Sequence, residues 1–220
     1  MNSCSRPLQW LVWGILALVV ACITVLFVRQ ELSRQVHPKL PVIGEVHEFQ
    51  LTNQFGVPVS LQDLRGKVWV ADIIFTRCPG PCAMMTRHMS ALQVELPKTD
   101  QLGFLSLTAD PQFDQPPVLK KYGETFGADQ KRWMFLTGPK VDLYRLAMAG
   151  LKLSVGENPD EGVKKMEDLF IHSTRFVVLD RAGRLRAYVD GADPKCREQL
   201  RPIVESLLAE KSKGGGATFE

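Results

Sequence analysis

The chain is short of cysteine, of charge imbalance and of repetition. Five cysteines in 220 residues are a modest and odd number, which excludes a small secreted scaffold held together by paired disulfides. Lys and Arg outnumber Asp and Glu by only 27 to 24, for a net charge of +3. No stretch is a long basic run, so nothing points to a nucleic-acid partner. No internal repeat is present, which removes stacked-repeat architectures. One segment lacks charge altogether: Trp10 to Val28, WLVWGILALVVACITVLFV. At about 1.5 Å per residue it makes a helix of about 28 Å, enough to cross a hydrocarbon core. A buried globular helix of that length would carry a polar face, and the apolar part of a signal peptide is shorter.

The expected organisation follows from that segment. A short flank (residues 1–9) precedes a transmembrane anchor (10–28), a polar tether containing Pro38 and Pro41 (29–43), a globular domain (44–210) and a glycine-rich disordered tail (211–220). Val19-Val20-Ala21-Cys22 has the form of a lipoprotein cleavage box, but the apolar run continues past it to Val28. Arg6 on one flank is balanced by Arg29 and Arg34 on the other, so charge assigns no side of the membrane.

Within the globular part, chemistry concentrates in FTRCPGPCAMMTRHM, Phe75 to Met89. The preceding apolar run, Val68 to Phe75, is rich in β-branched and aromatic residues and reads as a buried strand. Pro81 suits the first turn of a helix. A strand therefore ends, a Pro/Gly turn follows, and a helix begins near Cys82. Helix N-termini present free N–H groups and partial positive charge, which favours thiolate over thiol. Cys78 and Cys82, three residues apart, are two soft donors suited to Cu(I), Zn(II) or a reversible disulfide. The spacing alone does not separate these, and two incidentally close buried cysteines are the bland alternative.

Around this centre the pattern alternates strand and helix. A hairpin is expected about Asn53 to Gly56, a second strand over Leu102–Asp110, and helices over Pro81–Leu96, Val118–Phe126 and Val141–Ala149. Short strands are expected at Trp133–Leu136 and Leu151–Val155, an exposed loop or hairpin at Gly156–Asp168, a hairpin over Ser173–Gly191 and an amphipathic helix over Pro194–Glu210. The expected fold is α/β, a mixed sheet flanked by helices, with reactive groups at strand ends where helices start.

Four segments are similar to those of one family. FTRCPGPC, SLTADPQFDQPPVLKKYGETFG, WMFLTG and IHSTRFVVLDRAGRLRAYVDG resemble blocks of the Sco/SenC proteins, over roughly Pro41 to Ala209. The resemblance implies a thioredoxin-like fold with an N-terminal β-hairpin extension, carried on one membrane anchor. It implies one copper ion, Cu(I) or Cu(II), held by Cys78, Cys82 and His172, with Cys78 and Cys82 redox-active and forming a disulfide when oxidised. It also implies a metallochaperone rather than an enzyme. Its copper would come from an upstream donor and go to the dinuclear copper centre of cytochrome c oxidase subunit II, whose cysteines the same pair could also reduce, or to another copper-site protein. The soluble domain would then face the periplasm or the intermembrane space. Two thiolates suit Cu(I), and an added imidazole lets the same site hold Cu(II). Without the family, His172 also has the plain reading of a satisfied core histidine at a strand start.

The remaining candidates have plain readings beside the functional ones. Met84, Met85 and His88 share the Cys82 helix and can offer accessory copper contacts; core packing and a solvated side chain are the default. Cys4 and Cys22 go with the anchor, Cys196 reads as a lone packed thiol, and His37 and His47 as unremarkable. Asp110 and Asp114 flank prolines, where turn formation comes first and support of the site second. The alternative function is a membrane-anchored thiol–disulfide oxidoreductase in which Cys78 attacks and Cys82 resolves. A third is a peroxidase with Cys78 as its reactive thiol.

Overall fold

A computed structural model describes residues 6–34, 40–78, 80–157 and 170–210, the side chains of 28–34, 6–9, 156–157 and 170–172 excepted. The chain separates into two compact units, Met1–Lys39 and Leu40–Glu220. In the first, helix α1 (Arg6–Arg34) is a single run longer at both ends than the charge-free segment that motivated it. Its window Trp10–Phe27 has mean hydropathy 2.6 and is exposed throughout, long and apolar enough to cross a membrane.

The second unit is built on one eight-stranded sheet. The strands are β1 (Gly44–Glu45), β2 (Gln50–Asn53), β3 (Pro58–Ser60), β4 (Val68–Ile74), β5 (Leu102–Thr108), β6 (Trp133–Thr137), β9 (Arg175–Leu179) and β10 (Arg184–Asp190). A separate two-stranded pair is formed by β7 (Val155–Glu157) and β8 (Phe170–His172). The main sheet runs β1-β10-β9-β4-β5-β6-β2-β3. Its centre, β4-β5-β6, is parallel, and its flanks are antiparallel. The expected mixed sheet is therefore present, and β2–β3 is the expected N-terminal hairpin, attached through β2 to β6.

Parallel strands need crossovers, and helices supply them. Helix α2 (Leu61–Leu64) leads into β4, α3 (Pro81–Glu95) joins β4 to β5, and α4 (Pro116–Thr125) joins β5 to β6. Helix α5 (Lys140–Arg145) continues as a π-helical turn, Leu146–Gly150, and α6 (Cys196–Ala209) closes the chain. The central strands β4 and β5 are buried along their whole length, as sheet covered on both faces must be. Close packing dictates one glycine there. A Cβ on Gly103 would fall 2.3 Å from the Trp69 ring, which lies across β5 while its indole N–H donates to Leu64 O at 2.6 Å.

One expected strand is misplaced. Leu151–Ser154 is not strand; β7 starts only at Val155. The π turn captures the backbone first, since Leu151 N–H donates to Leu146 O and Leu153 N–H to Ala147 O, and Lys152 takes a positive φ of 55°. The expectations for Cys4, His37, Pro79, most of the loop at 158–169 and the tail from 211 lie outside the described residues.

Candidate metal centre

The two cysteines lie where strand β4 gives way to helix α3. After Ile74 the chain turns at Thr76 and Arg77, with Cys78 N–H closing the turn on Phe75 O at 3.1 Å. Gly80 caps α3, Pro81 opens it, and Cys82 follows in its first turn. Pro81 is pre-set for that position, and its missing N–H costs nothing there. Cys78 and Cys82 are both buried, neither is in a disulfide, and the thiol of Cys82 is hydrogen-bonded to Cys78.

That contact corrects the simplest expectation. A helix N-terminus should favour a thiolate, yet Cys82 holds its proton well above the ordinary thiol range. The hydrogen bond to Cys78 is the main cause and burial the next. The Phe75 backbone pulls the other way, and negative charge at Cys78 and Asp72 adds to the rise. Two sulfurs sharing one proton ionise as a pair, and the second proton is the hard one to remove.

The turn bearing Cys78 is bolted to the loop after β5. Asp114 is wholly buried, and its carboxylate accepts from the Thr76 N–H at 3.0 Å, the Thr76 hydroxyl and the Thr108 hydroxyl at 2.6 Å. Burial raises its pKa, and those three donors, Thr108 first, oppose the rise. Asp110 ion-pairs with Arg77, whose guanidinium lies 4.3 Å from the Phe113 ring centroid. The turn reading of these aspartates is right as well, because Asp114 N–H bonds Asp110 O at 2.9 Å. Their carboxylates, however, reach across to the residues immediately before Cys78.

The other expected residues divide cleanly. Met85 and Met89 are fully buried on the core face of α3, and Met84 is half-buried. Met85 packs near Phe176 and Gly191. His88 is half-buried, and burial, then Arg197 and Arg87, favour its neutral form. Cys196 is fully buried, with burial raising its pKa. His47 is exposed and lines a shallow pocket with Glu48, Asp142 and Arg145. His172 occupies β8, paired with Val155 across the ladder, and its imidazole lies outside the described residues. Among the described residues no cluster of three or more His, Cys, Asp and Glu is gathered to hold a metal.

Sequence reasoning missed two groups behind the cysteines. Asp72, inside β4, is fully buried with neither carboxylate oxygen hydrogen-bonded. Burial pushes its pKa up to about 7, and the Ser106 hydroxyl, facing it across the β4–β5 pair but making no full hydrogen bond, offsets this only partly. Tyr122 of α4 meets Thr86 of α3 at 2.8 Å, and Thr86 donates to Cys82 O at 2.8 Å. A lone acid in the apolar run VWVADII was the available signal for the first. Nothing local marks Tyr122.

Comparisons with known proteins agree on one family. The SCO1/SenC family profile matches residues 42–208. The SCO1 protein homolog of Bacillus subtilis is 34% identical over 175 residues, covering 79% of this chain and 88% of that one. The structure of BsSco, described as carrying a disulfide switch and as a member of the Sco family of cytochrome c oxidase assembly proteins, aligns with a TM-score of 0.66 at 32% identity. It covers 78% of this chain and 97% of that one. Bradyrhizobium japonicum ScoI, solved with copper bound, shares the fold at a TM-score of 0.62 and 21% identity, over 74% of this chain and 99% of that one.

Proposed function

The chain belongs to the SCO1/SenC family, and from that premise we propose that it binds one copper ion through Cys78, Cys82 and His172. The observation that carries the reading is the pair of buried, unbridged thiols in mutual hydrogen bond at the start of α3. One metal ion can replace the thiol protons and bring both sulfurs to the same centre. The donor chemistry fits copper: two thiolates satisfy Cu(I), and the His172 imidazole completes a set that also accepts Cu(II). Binding then releases the thiol protons, so affinity rises with pH.

In this reading helix α1 anchors the protein in a membrane, with residues 44–210 as the thioredoxin-like domain beyond it, on the periplasmic or intermembrane-space side. Copper arrives from an upstream donor and passes to the dinuclear centre of cytochrome c oxidase subunit II or another copper-site protein. The burial of both cysteines, 4% and 0% exposed, supports handover through direct protein contact rather than capture of free copper from solution.

The same sulfurs support a second reading, a thiol–disulfide oxidoreductase in which Cys78 attacks and Cys82 resolves. Cys82 is the protonated partner, which suits a resolving thiol. The two readings separate on the full chain in detergent, titrated with Cu(I) against a chromophoric chelator. Wild type binds one equivalent, Cys78→Ala with Cys82→Ala binds none, and His172→Ala keeps Cu(I) but loses the thiolate-to-Cu(II) charge-transfer band. One-to-one binding that survives loss of both cysteines refutes the copper site.

A further inference from the structure

Helices α3 and α6 meet along a seam that carries more positive charge than it neutralises. Glu95 of α3 ion-pairs with both Arg197 and Arg201 of α6, whose side chains stay 36% and 50% exposed. Arg87 of α3 is exposed and has no ion pair among the described residues. His88 lies within electrostatic reach of Arg87 and Arg197, which together with burial favour its neutral form. The Nε–H of Arg197 is buried with no acceptor among the described residues. Three arginines thus share the one carboxylate of Glu95. Glu198 and Glu205 are exposed, but they stand about 80–100° farther round α6 than Arg197, on its outer side. Ion pairs this open to water hold a fold only weakly, so stability does not account for the crowding.

The seam adjoins the sulfurs. Arg87 and His88 follow Cys82 by five and six residues on the same helix, about 9 Å along its axis. Val94 is seven residues beyond Arg87, on the same face of α3, and is 71% exposed. Arginine around an exposed apolar side chain is the composition of a protein interface.

We propose that the α3–α6 seam is a docking surface for a partner protein, and that the partner meets it with an acidic face. Carboxylates of the partner take the place of Glu95 on Arg197 and Arg201 and give Arg87 the counter-charge it lacks. Val94 supplies the apolar contact between them. Complementary charge of this kind selects the partner and speeds the encounter more than it deepens the affinity, which suits a protein that must bind and let go. A flat anionic lipid surface fits less well, because it would meet Glu198 and Glu205 as well as the arginines. The proposal goes beyond both readings of the sulfurs: copper handover and disulfide exchange each bring a second protein to the helix that carries Cys82.

The test uses the full chain in detergent, metal-free and reduced. A fluorescein-labelled peptide of alternating Glu and Gly is the probe, with alternating Gln and Gly as its neutral control, and binding is read by anisotropy. The acidic peptide binds, the neutral one does not, and the affinity falls as salt rises. Arg87→Glu with Arg201→Glu weakens binding at least about 10-fold. Lys120→Glu with Lys121→Glu, the same change of net charge on the exposed side of α4, alters it less than about threefold. Glu95→Gln tightens binding about two- to fivefold, because the arginines are then free for the probe. Equal weakening by the α3–α6 and the α4 variants overturns the proposal, since net charge alone would then explain the binding. So does weaker binding by Glu95→Gln, which would make that acid structural. Displacement of the peptide by phosphatidylglycerol doped into the micelles also overturns it, making the seam a membrane contact. Copper titration of the same variants is read separately, so failure of docking leaves the copper site standing and failure of the copper site leaves the docking surface.

Discussion

Two carboxylates, Asp180 and Asp72, are buried in the same domain and treated in opposite ways. Asp180, at the β9–β10 turn, accepts from Arg184 Nε at 2.9 Å, Arg186 Nη1 at 2.8 Å and the backbone N–H groups of Ala182 and Arg184. Burial is the largest single influence on it and opposes the charge, yet those donors together hold its pKa below the ordinary carboxylate value. Arg186 in turn spans Asp180, Glu210 and the carbonyls of Leu40 and Pro41, tying the first and last residues of the domain to one hairpin. The turn needs Gly183 at φ 77°, and Arg181 caps α6 through the carbonyls of Leu207 and Leu208. Asp72 has no such partner. Asp180, the buried charge, is satisfied on every side; burial of the bare Asp72 favours its neutral form.

The contrast breaks most severely at the satisfied end. Arg186→Ala leaves Asp180 and Glu210 facing each other without the shared cation. It should lower the unfolding free energy by about 3–5 kcal/mol, read from the urea midpoint of the full chain in detergent. Asp72→Asn should move stability the other way. The folded pKa of Asp72, about 7, lies above its unfolded value of 3.8. Burying the neutral acid therefore helps the fold fully below about pH 4, and that help is lost as pH rises to 7, by up to about 4 kcal/mol at roughly 1.4 kcal/mol per pH unit. The variant should be more stable than wild type at pH 8 and equal to it at pH 4. A variant less stable at both values would mean that Asp72 is satisfied by something other than its own proton.

The sheet was legible from the sequence because its central strands are apolar runs broken by few polar residues and its turns carry Pro, Gly and Asn; β4, β5 and α3 fall within a residue or two of expectation. The site was legible only in part. Cys78 and Cys82 announce themselves by type and spacing, and the helix start by Pro81. The protonation of Cys82 was not legible, because it depends on a contact with Cys78 and on burial, which a sequence does not display. Leu151–Ser154 looked like strand because its alternation fits one; the π turn that claims its N–H groups is a matter of tertiary packing. The supporting role of Asp114 needed the loop to fold back 38 residues to Thr76, beyond the range of any local pattern.

Asp114 stands between the two extremes, its oxygens satisfied by neutral donors alone. Asp114→Asn keeps the shape but turns an N–H donor toward groups that are themselves donors. A loss of about 1–3 kcal/mol is expected, with the Thr76 turn loosened and closure of the Cys78–Cys82 disulfide slowed at all pH values alike. That uniform slowing is the mark of a residue that positions the turn without exchanging a proton.

The smallest effect belongs to the rim, where Asp110 pairs with an arginine that is itself 34% exposed. Here water and salt already screen the charges, and an ion pair of this kind is worth about 0–1 kcal/mol. The contact of the Arg77 guanidinium with the Phe113 ring adds about 0.5–1 kcal/mol that salt screens less. Phe113→Ala should therefore cost no more than about 1 kcal/mol, nearly the same at low and at high salt, whereas the cost of Asp110→Asn should shrink as salt rises. Urea midpoints at two ionic strengths decide it. A loss near 3 kcal/mol for Asp110→Asn, insensitive to salt, would place this pair with Asp180 as part of the frame, and the turn bearing Cys78 would then be held as rigidly as the far end of the domain.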